Sequence, residues 1–390
     1  MLANWSFWFL NAVEDKETNT LYFFGNNIKG FFSWNIERSE VVLIDDLADR
    51  MFENEMYDCG VLHNKKIYYP PRNTQEMAVY DILSGELTFQ KLYSDDIANR
   101  IKFRHYFFGH FAFKGSDGTI FFLYREFPVI SSYNTNDNTL NYLMPPSGCE
   151  DLKLAKGYAY NEGIYYFPTL NSNKIIVFDS SIKVIDCIEI EVHKGDAFAT
   201  CTYCDGCLVL LSIDSSRIYR FDIEKGVSGM YELQLENISN SDRRMIQKRD
   251  NHFLVLPMVD VDTNGKMTMT YKLDSEMRIV DQVETFRNYQ GLKKWNILST
   301  DDSEWYVLFN ATYEDHADAY WTEGMVMGKV NKDSLEFEEM IFSLPNGWTE
   351  EMISDRIAFL QSQLNFQAYD LTYENERVGL EQFLQMLLLK

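Results

Sequence analysis

A chain of 390 residues with a net charge of −23 suits neither nucleic acid nor an anionic membrane surface, because like charges repel. At 46% hydrophobic and 15% aromatic it can bury a large core, yet it contains no run of about 18 apolar residues that could span a bilayer. Six cysteines in a chain of this length do not form a disulfide framework, so a cytoplasmic protein is expected. The N-terminal stretch MLANWSFWFLNAVEDK has no basic segment ahead of its short apolar run and no clear cleavage site, and it does not read as a signal peptide.

One unit then recurs along the chain. It appears as LYFF from Leu21, IYYPP from Ile67, IFFL from Ile120, IYYFP from Ile164, LVLL from Leu208, FLVLP from Phe253 and WYVLF from Trp305. Successive starts are 46, 53, 44, 44, 45 and 52 residues apart, a period that accommodates four short strands. A strand precedes each run, as in YDCGVLH, YFFGHFAF, KGYAYN and FATCTYC. A third strand follows and often ends on Asp or Asn, as at Asn35, Asp81, Asp179 and Asp222, where the side chain can bond the backbone of the next turn. LTFQKL, VIDCIEIE, MYELQLE and VDQVETF supply fourth strands. With the four strands lettered A to D, the pattern predicts an all-β fold. It is a seven-bladed β-propeller with four-stranded blades over residues 1–345, followed by a short α-helical tail over 346–390. In period and strand order the repeat resembles the kelch-like and WD-repeat propellers. It lacks the kelch double glycine and the Gly-His and Trp-Asp signatures, so the resemblance implies architecture and no particular activity. No spare strand is visible for closing the ring. Closure therefore falls to blade packing, helped by the tail.

Charge is expected to divide between the two faces of such a ring. The B–C connections carry Lys29, Arg72, Arg125, Lys174, Arg217 and Lys266. The segments entering strand A add Arg104, His105, Lys153, His193, Lys194, Arg243, Arg244, Lys293 and Lys294. The C–D turns carry Glu37, Asp81, Glu86, Asp137, Asp179, Asp222, Glu224, Asp274, Glu276 and Asp333. Either apolar B and C strands simply leave charge to the loops, or the basic face binds an anionic ligand or acidic peptide at the channel mouth. His105 and His193 are the acid–base candidates if that mouth is an active site of a lyase or hydrolase.

CTYCDGC, residues 201–207, has metal-site spacing. Aligned with its sibling repeats it reads as an A–B hairpin with Asp205-Gly206 at the turn, matched by Asn64-Lys65 and Asn161-Glu162. Cys204 and Cys207 flank that turn. Cys201 lies an odd number of residues from Cys204, hence on the opposite face. Structural cysteines, a metal site and a reversible Cys204–Cys207 disulfide are the three readings, and the pleat favours the first. Asp260, Asp262, Asn264 and Gly265 match half a calcium loop, but Tyr271 stands where the bidentate Glu belongs, so a turn is expected. No metal and no cofactor are assigned.

Blade 7 has a long B–C connection, NATYEDHADAYWTEG, with Tyr313, Tyr320 and Trp321 as partner-docking candidates. Thr349 ahead of Glu350 and Glu351 reads as a helix start. Met352, Ile353, Ile357, Phe359, Leu360 and Leu364 are its expected apolar face. A second helix over residues 375–389 would present Val378, Leu380, Phe383, Leu384, Leu387 and Leu388, with Phe383 and Leu387 as partner contacts if the face docks on another protein. The combined expectation is a binding or scaffold propeller that contacts a protein through its face or tail, with a small anionic ligand as a further candidate.

Overall fold

The computed structural model describes residues 12–25, 28–47, 57, 59–71, 76–92, 109–115, 118–124, 130–143, 151–155, 157–181, 183–213, 215–233, 244–257, 269–285, 292–300, 304–311, 324–340, 344–349 and 351–360. Twenty-eight strands lie among them, numbered β1 (Val13–Asp15) to β28 (Phe337–Glu339) in chain order. They form seven antiparallel sheets of four, each in sequential order. The blades cover residues 13–46, 61–91, 109–143, 159–189, 198–232, 244–284 and 292–339. The chain is a seven-bladed β-propeller. All seven aromatic-apolar runs are second strands of their blades. The A strands of blades 1 and 2, 2 and 3, 4 and 5, and 5 and 6 approach one another, and β1 lies against β25 (Leu292–Thr300), which closes the ring.

The core sits in the seams between blades. In β2 (Thr20–Gly25), Leu21 and Phe23 face one side of the sheet and join a cluster with Met327 of blade 7. Tyr22 and Phe24 face the other side and pack with Tyr57, Ile67, Tyr69 and Tyr80 of blade 2. A strand buried on both faces has no polar side to display, which is why second strands read as continuous apolar runs. Each fully buried aromatic such as Phe23, Phe31 or Phe32 contributes about 2–3 kcal/mol of burial. Buried polar groups link the same seams. The Tyr69 hydroxyl donates to the Tyr22 carbonyl at 2.7 Å, and the Tyr133 hydroxyl reaches Gln90 Oε1 at 2.9 Å.

Seven C–D turns share one device. The last residue of strand C, or in blades 4 and 6 the residue after it, accepts a backbone N–H from two or three residues on. Asn35 takes that of Arg38, Asp81 of Leu83, Asn134 of Asn136 and Asp179 of Ser181; Asp222 takes that of Lys225, Asp274 of Glu276 and Asn331 of Asp333. The expectation from Asn35, Asp81, Asp179 and Asp222 holds, and in blades 3 and 7 the acceptors are Asn134 and Asn331. One turn needs correction. In blade 4 the pair Asn161↔Ile164 brackets Glu162-Gly163, one residue later than expected. Glu162 and Gly163 have φ of 48° and 88°, and Gly163 takes the more extreme value without a Cβ penalty.

The tail seals the last seam. Asn346 N–H donates to the Val41 carbonyl at 3.1 Å, and Thr349 caps helix α1 (351–360) by accepting the Met352 N–H at 3.2 Å. Ile353 is fully buried in the cluster shared by blades 7 and 1, with Trp348 and Ile357 packed beside it. The Arg356 guanidinium donates to the Ile28 carbonyl, to the Lys29 carbonyl at 3.0 Å and to Asp46 Oδ2 at 2.9 Å, and lies 5.4 Å from the Trp348 ring centre. The expected apolar face is narrower than the sequence suggested. Ile353, Ile357 and Leu360 turn inward, whereas Met352 and Phe359, about 100° per residue away, are 48% and 56% exposed. Leu364 and the second expected helix lie outside the described residues. Among the described residues no helix is long and apolar enough to cross a membrane.

Three consequences follow for stability. A Cβ added at Gly157 would collide with Thr200 Oγ1, where the segment entering blade 4 bridges the first strand of blade 5. Gly157→Ala is therefore expected to cost about 1–3 kcal/mol in urea unfolding, and Thr200→Gly in the same chain to recover part of it. Arg356→Ala should lower stability by about 2–3 kcal/mol because it strips a charged donor from two backbone carbonyls; an unchanged urea midpoint would show that α1 does not brace the ring. Stability should also fall at both ends of the pH scale. Lys66 beside Asp81, Lys225 beside Asp222 and the Arg278 N–H on Asp274 hold these carboxyls below their ordinary range. Their contribution is present above the unfolded pKa of about 3.9 and is lost as pH falls through the folded values. Burial pushes Tyr22, Tyr68 and Tyr219 up to about 12, so stability is also lost as pH climbs from about 10 toward that value. Thermal melts across pH should show both losses; a flat response from pH 10 to 12 would contradict the second.

Candidate functional site

The connections sort onto two faces as expected. On one face, strand ends and B–C loops meet: Leu47 N–H donates to the Lys29 carbonyl, Ile190 to Asn173 and Leu233 to Ser216. On the other, C–D turns meet A–B hairpins: Ile36 N–H donates to the Asn19 carbonyl, Ile82 to Lys65 and Ile223 to Gly206.

The basic residues expected on the first face do not form one uniform set. Lys29 is buried at 1% exposure and takes a left-handed φ of 51°, so it offers nothing to solvent. Arg217, which begins β19 (Arg217–Asp222), is paired with Asp196 at 3.3 Å, and Asp196 also accepts the Tyr219 hydroxyl. The His193 N–H donates to that hydroxyl at 3.1 Å. Burial first and Asp196 second raise the Tyr219 pKa to about 12, which keeps it a donor. Arg217, Asp196 and Tyr219 thus strap the loop entering blade 5 onto strand C of the same blade. Asp196 went unnoticed in the sequence because it lies 21 residues before its arginine, with no spacing rule between them.

Lys174 begins its strand half-buried, and His193 and Lys194 are exposed on the same face. Arg244 begins β21 (Arg244–Arg249), and Lys294 lies in β25 at a break in the pairing with β26 (Glu304–Ala311). Arg72, Arg125 and His105 fall outside the described residues. So do Lys266, the half calcium loop from Asp260 to Gly265, the loop bearing Tyr313, Tyr320 and Trp321, and the segment with Phe383 and Leu387.

The acids of the opposite face are engaged in local bonds. Asp81 pairs with Lys66 at 3.2 Å, Asp222 with Lys225 at 2.6 Å, Asp274 with Arg278 at 2.8 Å and Asp333 with Arg249 of the preceding blade at 3.3 Å. That face also joins blades 1 and 2, where Lys65 contacts Asp15 at 3.1 Å and Glu17 at 2.7 Å.

CTYCDGC resolves as the pleat required. Cys201 packs toward blade 4, and its thiol donates to the Tyr166 carbonyl at 3.3 Å. Burial pushes that thiol far above its ordinary pKa, so it is a protonated donor. Cys204 faces blade 6, and its direct cross-strand partner is Cys207. Among the described residues no three His, Cys, Asp or Glu side chains converge in a geometry that holds a metal.

The outer strands carry a feature that no motif announced. β16 (Val184–Glu189), β20 (Val227–Glu232) and β24 (Ile279–Glu284) are the edge strands of blades 4, 5 and 6. Ile185, Val227, Met230 and Val280 on them are 50–57% exposed. Soluble edges are ordinarily guarded by charge, but β20 carries none from Val227 to Tyr231.

No protein-family model and no curated protein sequence matches this chain. Solved structures do. A streptogramin B lyase is 12% identical, with a TM-score of 0.52 over 84% of this chain and 95% of that one. Kluyveromyces lactis Hsv2 is 13% identical, with a TM-score of 0.47 over 85% of this chain and 98% of that one. At such identities the likeness is one of fold alone: this chain has the architecture of a β-propeller.

Proposed function

We propose that this chain is a cytoplasmic binding propeller that holds a protein partner and acts as a scaffold. The observation that carries the reading is the row of exposed apolar side chains on three successive outer strands, Ile185, Val227, Met230 and Val280. An outer strand has hydrogen-bond partners on one side only, so its free edge offers backbone donors and acceptors to an incoming strand. Apolar side chains flanking such an edge supply the burial that makes pairing favourable. Blades 4 and 5, which carry two of these strands, are packed on both faces.

A second reading is supported by the exposure of His193 and Lys194 on the face that carries Lys174. The two lysines suit an anionic saccharide or acidic peptide, and His193 would then be the proton-transfer group of a lyase or hydrolase. The Arg217–Asp196 pair counts against it by removing one guanidinium from that set.

Charge substitutions separate the two. Val227→Asp with Met230→Lys should leave the circular dichroism and urea midpoint unchanged, since both side chains are exposed. Recovery of a partner that co-purifies stoichiometrically with the native chain should fall roughly tenfold or more, the loss of about 1–2 kcal/mol per anchor. If the rim variant keeps its partner while Lys174→Glu with Lys194→Glu loses it, the rim reading fails.

A further inference from the structure

Of the three cysteines in CTYCDGC, two share a face and a partner. Cys204 ends β17 (Phe198–Cys204), Cys207 begins β18 (Cys207–Ser212), and they oppose each other directly across Asp205-Gly206. Directly paired antiparallel residues stand with Cα atoms about 4.5–5.5 Å apart, inside the span of a disulfide. Their Cβ atoms, about 4.5–5.5 Å apart in such pairs, lie beyond the disulfide mean of about 3.8 Å. A bond there would draw the strands together and store strain, and strained disulfides are the readily reduced ones. Both thiols are free and buried.

Their surroundings differ from those of Cys201. Arg220 on β19 lies two residues from Asp222, the direct cross-strand partner of Cys207, and so shares its sheet face; the neighbouring Cys207 pushes the guanidinium pKa up. From the next blade, Lys248 on β21 stands 3.9 Å from Asp205 Oδ1, and its charge works to lower the Cys204 pKa. The Cys204 thiol donates to Asp205 Oδ2 at 3.1 Å. Burial first, and Asp205 next, hold Cys204 protonated. Each sulfur therefore has a cation beside it, and Cys204 also has a carboxylate positioned to take its proton. A pair of merely space-filling cysteines needs none of these groups.

We propose that Cys204 and Cys207 are a redox pair that hydrogen peroxide converts into an intramolecular disulfide. The Cys207 thiolate, with Arg220 as counter-charge, attacks one peroxide oxygen. The O–O bond breaks, the departing hydroxide takes up the proton released by Cys207, and Cys207 is left as a sulfenic acid. Cys204 then attacks the Cys207 sulfur while its proton passes to Asp205. The S–O bond breaks, and the departing hydroxide collects that proton to leave as a second water. In sum, two thiols lose two hydrogens and one peroxide becomes two waters. The bond forms where Lys248 and Asp205 join blades 5 and 6, so oxidation acts on that seam.

The full-length chain tests this directly. It is treated with hydrogen peroxide at neutral pH, quenched with acid, alkylated in denaturant and digested with trypsin; residues 195–217, between Lys194 and Arg217, carry all three cysteines. That fragment should lose two hydrogens in the native chain and in Cys201→Ala, should keep them in Cys204→Ser and in Cys207→Ser, and should regain them with dithiothreitol. Arg220→Gln should slow the loss roughly tenfold in the folded chain by removing the counter-charge, with no change in urea; mere loosening of the hairpin would speed it instead. The proposal is overturned if the folded native chain keeps both hydrogens, if Cys201→Ala abolishes the loss, or if Arg220→Gln oxidises as fast as the native chain.

Discussion

The structure rests on seam packing. A four-stranded blade has two apolar faces and can cover neither by itself, so every blade depends on both neighbours. Leu21 and Phe23 look one way while Tyr22 and Phe24 look the other, and the same alternation runs through the second strand of blade 5 with Leu208 and Leu210 against Val209 and Leu211. A ring is the arrangement that leaves no blade with a bare face. The heavy use of Phe and Tyr follows, since a wide seam between twisted sheets is filled most economically by rings. Tyr adds a hydroxyl that can reach a neighbouring carbonyl, as Tyr69 does with Tyr22.

The first and last blades meet across the weakest point of such a ring, because the chain is not continuous there. Among the described residues no strand is exchanged between them. The chain instead threads Asn346 against β4 (Glu40–Asp46) and seats Ile353 in the seam, with Arg356 bonded to backbone on one side and Asp46 on the other. Arginine is suited to this position because its planar fork can serve two carbonyls and a carboxylate together. The exposed Met352 shows that α1 turns only a narrow stripe toward the propeller.

Much of the charge on this chain serves the fold. The C–D carboxylates accept turn N–H groups, Arg217 is absorbed by Asp196, and Lys65 ties blade 2 to blade 1. The apolar edge of blades 4 to 6, on which the binding proposal rests, and the Cys204–Cys207 pair are less conspicuous in composition. Neither is a motif. Both are products of which residues the sheets bring side by side.

The architecture was legible in the sequence because period and pleat are local properties. Seven apolar runs about 44 to 53 residues apart set the blade count, and an odd spacing placed Cys201 and Cys204 on opposite faces before any fold was known. The turn acceptors could be read where Asp or Asn followed an aromatic residue, as in YRFD; the same signal stands at Tyr133-Asn134, whereas Asn331 follows Val330 and carries none. The turn of blade 4 was misplaced by one residue because Asn161-Glu162 and Glu162-Gly163 are both turn-like, and only the strand register distinguishes them. Tertiary structure alone decided that Lys29 is buried, that Asp196 neutralises Arg217, that Arg220 and Lys248 reach the cysteine pair from different strands, and that α1 fits the seam of blades 7 and 1. These contacts join residues by the angle at which one sheet meets the next, and no periodicity in a linear sequence encodes that angle.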